Sequence, residues 1–112
     1  MAINEIVERI IAINHAWKLA REKFGAQNPI TLSLREQKSS WQANLIRSFP
    51  AEVFLKEASD SDSHEERLLS VRLRKPLQIA SGLKSDAEHL PVRLANVLFT
   101  EKELKKYIVK EL

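Results

Sequence analysis

NPITLSLREQKSSWQANLIRSF, residues 28–49, is the stretch whose reading decides the architecture of this 112-residue chain. After Asn28-Pro29 the residues Ile30, Leu32 and Leu34 alternate with Thr31, Ser33 and Arg35, the period-two pattern of a strand with one wet face. Lys38-Ser39-Ser40 then reads as a turn. In SWQANLIRSF, Trp41, Ala43 and Leu45 share one side against Gln42 and Asn44, and Ile46 interrupts the alternation so that a bulge or strand end is expected near Arg47. On this reading the stretch supplies two strands.

Upstream the period is 3.6. Ile3, Ile6, Val7, Ile10, Ile11, Trp17 and Phe24 fall within one half of a helical wheel, and Gly25 supplies a stop, which predicts a long amphipathic helix over residues 3–24. Glu5, Glu8, Arg9, His15, Lys18, Arg21 and Glu22 occupy the other side. The apolar arc is wider than the ≳100° stripe that one packing surface requires, so Ile3, Ile6, Val7, Ile10 and Trp17 form a candidate face for a partner.

Downstream of Pro50, AEVFLKEA reads as a short strand with Val53 and Leu55 on one side. Residues 58–65 are rich in serine and aspartate, whose side chains compete for their own backbone, and so read as a solvated loop. Leu69, Val71 and Leu73 then alternate with Ser70, Arg72 and Arg74 in a strand that Pro76 ends or places at an edge. Gly82 and Pro91 break up the last third. Ser85 and Glu88 have the spacing of a one-turn capping box, Pro91 suits the first turn of a short helix to about Leu98, and VRLANVLF remains open as a strand. Thr100 with Glu103, and Phe99 with Leu104, mark the start of a final helix with Leu104, Tyr107, Ile108 and Leu112 as its stripe.

The order is therefore α-β-β-β-β-α-α: a single α+β domain over residues 1–112, with an antiparallel sheet of three to four strands and the helices packed on one face. Its length suits one core. With 44% hydrophobic and 29% charged residues the composition is that of an ordinary globular domain, and a net charge of +3 permits an anionic partner without demanding one.

Several kinds of chemistry are excluded. Cysteine is absent, which removes disulfides, thiolate metal sites and thiol nucleophiles. Two glycines cannot build a GxGxxG or P-loop phosphate cradle, and neither GxSxG nor HExxH occurs. Asp60-x-Asp62-x-His64 offers alternate oxygen and imidazole ligands, but Glu65 and Val71 stand where a calcium loop needs glycine and glutamate. No metal or cofactor is expected. Glu65 and Glu66, adjacent on an extended chain, would point to opposite faces, and Asp86, Glu88 and His89 read as capping side chains rather than a catalytic group.

The remaining functional signal is basic. Arg35, Arg47, Arg72 and Arg74, with Lys38 and Lys75 at the ends, would share one sheet face if the strands pair as above, interspersed with hydrogen-bonding residues suited to phosphate oxygens. No exposed aromatic platform accompanies them, since Trp41 belongs to the apolar side. With no run of ~20 apolar residues and no basic leader with a cleavage site, a cytoplasmic location away from membranes is expected. The expected function is a non-enzymatic binding module, through a protein partner or its own copy, with nucleic acid or another polyanion as the alternative.

Overall fold

The computed structural model describes residues 1–58 and 66–110; the aspartates and histidine of the 60–64 stretch lie outside them. It shows an α+β fold with four helices and a three-stranded antiparallel sheet, in the order α-α-β-β-β-α-α. The first helix, α1 (Ile3–Phe24), is as the sequence predicts, closed where the Gly25 N–H, at φ +90°, bonds the Arg21 carbonyl at 3.0 Å.

The decisive stretch corrects the reading above: residues 29–48 are one helix, α2 (Pro29–Ser48), not two strands. Asn28 caps it, its Oδ1 accepting from the Ile30 N–H at 2.9 Å, and Pro29 occupies the first turn, where its missing N–H costs nothing. The residues that α2 buries are Thr31, Lys38, Ser39, Gln42, Ala43, Leu45 and Ile46, which recur at helical spacing. Ile30 and Leu32, which suggested a strand, are exposed.

The strands are β1 (Val53–Glu57), β2 (Leu68–Ile79) and β3 (Gly82–Pro91), in the order β1-β2-β3. Val53 pairs with Leu73, Leu55 with Val71 and Glu57 with Leu69; Leu69 in turn faces Leu90. β2 and β3 join through Ala80 and Ser81, followed by Gly82 at φ +125°, and the Ala80 N–H bonds Glu8 Oε1 of α1 at 3.2 Å.

Pro76 does not end β2. Between the Arg72–Asp86 and Leu77–Lys84 pairs five steps along β2 run against two along β3, so Pro76 lies in a bulge where its missing donor is tolerated. Residues 82–91, read as broken helical turns, are likewise a strand. A second irregularity explains why: Glu88 sits at φ +69°, between the pairs Ser70–His89 and Arg72–Asp86, and so Ala87 and Leu90, three residues apart, are both buried. A bulged strand mimics helical spacing.

The core lies between α1, α2 and the inner sheet face. Ile6, Val7, Ile10, Leu45 and Ile46 meet Val53, Leu55, Val71 and Leu90, each at most 2% exposed, and full burial of each such side chain contributes roughly 1.5–3 kcal/mol. Two short helices, α3 (Val92–Leu98) and α4 (Glu101–Tyr107), close one end of it. The Thr100–Glu103 capping box is reciprocal, at 3.1 and 3.0 Å, and Val109 donates to the Leu55 carbonyl, covering the outer edge of β1. Among the described residues no helix is long and apolar enough to cross a membrane.

Arg47 ties α2 to this C-terminal pair. Its Nε and Nη2 reach the two oxygens of Glu103 at 3.0 Å each, and Nη2 also donates to the Leu98 carbonyl at 2.6 Å. The Arg47 bonds, with the Thr100 backbone N–H, hold the Glu103 carboxyl down at about 2, against 4.5 ordinarily. The folded state therefore binds this proton less readily than the unfolded chain, so the stabilisation is full above the ordinary value and is lost as pH falls toward 2. Urea titrations should show wild type more stable than Arg47→Gln at about pH 6 and the gap narrowing toward pH 2 to what the Leu98 bond contributes, with m unchanged. A gap independent of pH would mean that the ion pair contributes nothing.

Candidate anion-binding cleft

Each long helix changes character midway along its inner face. In α1 the half-buried Ile3 and the buried Ile6, Val7 and Ile10 give way at the same spacing to Asn14, Trp17 and Arg21; in α2 the polar Thr31, Arg35, Lys38 and Gln42 precede Leu45, Ile46 and Phe49. The helices run antiparallel through the 25–28 turn, so the two apolar halves meet over the sheet as core. The two polar halves meet at the opposite end.

There they enclose a cleft of about 990 Å³, with Lys18, Arg21 and Leu32 on its helical wall. Glu66 just before β2, Leu68 of β2, Glu88, His89 and Pro91 of β3 and Arg93 of α3 complete the lining. Gln42 fixes the wall that carries the Glu88 bulge: its Nε2 donates to the carbonyls on both sides, Ala87 at 2.8 Å and His89 at 3.1 Å. Glu88 is further held by Lys84 at 2.9 Å and by its own N–H on Asp86 Oδ1 at 3.2 Å.

Trp17 organises the positive charge. The Arg21 guanidinium and Lys38 Nζ each lie 4.6 Å from its ring centroid and the Arg35 guanidinium 5.1 Å, where attraction to the ring's electron-rich face offsets part of their mutual repulsion. Arg35 also binds Glu66 at 2.6 Å, and Glu66 reaches Arg93 at 3.4 Å. Among the described residues no carboxylate forms an ion pair with Lys18, Arg21 or Lys38. Five bases thus line the cleft against the carboxylates of Glu66 and Glu88.

Lys38 is the most confined of them. It is 2% exposed, and its Nζ donates to Asn14 Oδ1 at 3.1 Å. Burial lowers its pKa from 10.5 to about 8, with the like charges of Arg35, Lys18 and Arg21 acting in the same direction and Glu88 against them. Burial also lowers Arg35, partly offset by Glu66. The buried side-chain polar atoms without a protein partner among the described residues are Thr31 Oγ1, Arg35 Nε and Gln42 Oε1, and all belong to the polar half of α2. No family model matches the chain, and no curated protein or solved structure matches it.

The six bases expected on one sheet face do not converge. Arg35 and Lys38 line the cleft, whereas Arg47 stands at the other end of α2, roughly 14 Å from Lys38 along the axis at 1.5 Å per residue. Arg72 and Arg74 are exposed on the outer sheet face, with Arg74 over Phe54 at 4.9 Å, and Lys75 is exposed in the bulge. The helix face offered to a partner is taken up by this chain itself: Ile6, Val7 and Ile10 are buried in its core, Ile3 packs against that core, and Trp17 lines the cleft. Asn14, Lys18, Arg21, Gln42 and Arg93 were not among the expected site residues. The signal for Asn14 and Arg21 is the series 10, 14, 17, 21, in which they continue the apolar stripe at its own spacing.

Proposed function

We propose that this chain is a small, non-enzymatic binding domain for a compact, multiply charged anion, a phosphate- or carboxylate-bearing small molecule, held between α1 and α2. The observation that supports it most directly is the trio Arg21, Arg35 and Lys38 gathered on Trp17, with Arg35 alone paired to a carboxylate among the described residues. Such a concentration of positive charge is costly until an anion shares it. The volume, about 990 Å³, suits a small molecule, since ligand pockets run to roughly 300–1,000 Å³. Because cations cover Trp17, the indole serves to position charge rather than to stack on a base.

Calorimetry with inorganic pyrophosphate at about 50 mM salt should show binding that weakens as salt is raised. The double variant Lys18→Gln/Arg21→Gln changes exposed side chains of the cleft and should fold normally. It should bind roughly 10- to 100-fold more weakly, since a charge-assisted hydrogen bond contributes about 1.5–3 kcal/mol. Absence of heat with millimolar pyrophosphate and citrate would remove the proposal. A mobility shift with nucleic acid in the same buffer, lost on Arg72→Gln/Arg74→Gln and without pyrophosphate binding, would transfer the function to the outer sheet face.

A further inference from the structure

Charge alone does not account for the position of Lys38. Lys18, Arg21 and Arg93 are exposed and can meet an anion from solvent, whereas Lys38 is 2% exposed, against Trp17 and Asn14. An ammonium has three hydrogens to donate, and among the described residues the acceptor provided is Asn14 Oδ1. Facing it are Lys18 and Arg21 from α1, Arg35 from α2, and Glu88 and His89 from β3. Of the nearby carboxylates, Glu88 is tied to Lys84 and Glu66 to Arg35 and Arg93. A desolvated amine beside other cations is the setting in which lysine is a nucleophile.

We propose that Lys38 condenses with the carbonyl of an anionic aldehyde or α-keto acid held in the cleft, forming an imine. This rests on the anion-binding reading above and names the class of ligand, held covalently and without turnover. The nitrogen lone pair adds to the carbonyl carbon while the C=O π pair moves to oxygen, which takes one amine hydrogen. The carbinolamine then forms C=N as its hydroxyl leaves with the second amine hydrogen. One water is released and no oxidant or reductant is needed. Arg21 and Arg35 sit where they can hold the ligand's anionic group and the oxygen that develops charge. Burial of the amine supports the same step, because about half of it is uncharged near pH 8.

The test uses the full chain with limiting pyridoxal phosphate, an anionic aldehyde, followed by borohydride reduction and peptide mapping by mass spectrometry. Lys38 should carry about tenfold more adduct than any other lysine, as expected for an activated amine rather than an exposed one. Labelling should rise through about pH 8 and fall when pyrophosphate is present. Lys38→Arg should lose the adduct, whereas Lys102→Arg, an exposed change on α4 away from the cleft, should keep both the adduct and pyrophosphate binding. Adducts spread over exposed lysines such as Lys102 and Lys105 would overturn the proposal. Pyrophosphate binding without labelling of Lys38 would leave the anion cleft and remove the covalent step; labelling that pyrophosphate does not reduce would remove the anionic ligand class.

Discussion

Lys38→Met should make the domain more stable at pH 7 and less stable above pH 10. With a folded-state pKa of about 8 against 10.5, the buried ammonium costs about 3 kcal/mol wherever the residue is charged in both states, at 1.36 kcal/mol per unit. Methionine has nearly the same length and no charge to desolvate. It also leaves Asn14, 7% exposed, without its donor, which costs about 1 kcal/mol. The net expectation at neutral pH is a gain of about 2 kcal/mol, visible as a shift of roughly 8 °C in Tm.

The pH dependence has the opposite sense to that of a lysine in a salt bridge. Here the folded pKa is depressed, so between about 8 and 10.5 the unfolded chain binds a proton that the folded chain does not, and wild-type stability rises with pH through that window. The variant lacks this rise. Its advantage should therefore vanish and become a deficit of about 1 kcal/mol by pH 10.5. Urea titrations of both proteins across the window decide it: a variant that is weaker at pH 7, with a gap that stays constant to pH 10.5, would show that the ammonium is not buried at a cost. A stabilising substitution that also abolishes ligand binding would be the signature of a residue retained for function.

The same half-and-half design explains what could be read in the sequence. The elements whose inward residues are apolar throughout were legible: α1 from Ile3 to Ile10, β1 from Val53 and Leu55, and β2 from Leu69, Val71 and Leu73. The capping box of Thr100 and Glu103 marked α4 because that signal is local. Helix α2 was not legible as a helix because four of its inward positions, Thr31, Arg35, Lys38 and Gln42, are polar. With those removed from the pattern, the apolar residues left, Ile30, Leu32 and Leu34, happen to alternate. Asn28-Pro29 has the form of a helix start, a capping side chain followed by proline in the first turn, and the alternation downstream masks it. Strand β3 was hidden by its bulge. The cleft was hidden for the same reason: Arg35 and Lys38 are legible as candidate anion ligands, but the alternation puts them on a sheet face rather than on the inner side of a helix. Local rules break where a site requires residues that a core would not choose.

That division of α2 predicts opposite responses from its two ends. Ile46 is 0% exposed among Leu45, Ala43 and the inner sheet residues, in the close-packed half. Ile46→Ala removes three carbons there and leaves a cavity that the sheet cannot collapse into, at a cost of about 3–4 kcal/mol. For 112 residues at roughly 0.05–0.15 kcal/mol each, this is about a fifth to over half of the total stability. Thr31 is equally buried, at 1% exposed, but its Oγ1 has no partner among the described residues. Thr31→Val keeps the shape and exchanges an unsatisfied hydroxyl for a methyl, so stability should rise by about 1 kcal/mol. Urea midpoints with unchanged m would separate the two. If both substitutions destabilise alike, the polar half of α2 is structural packing, and the cleft loses its standing as a place where stability has been exchanged for binding.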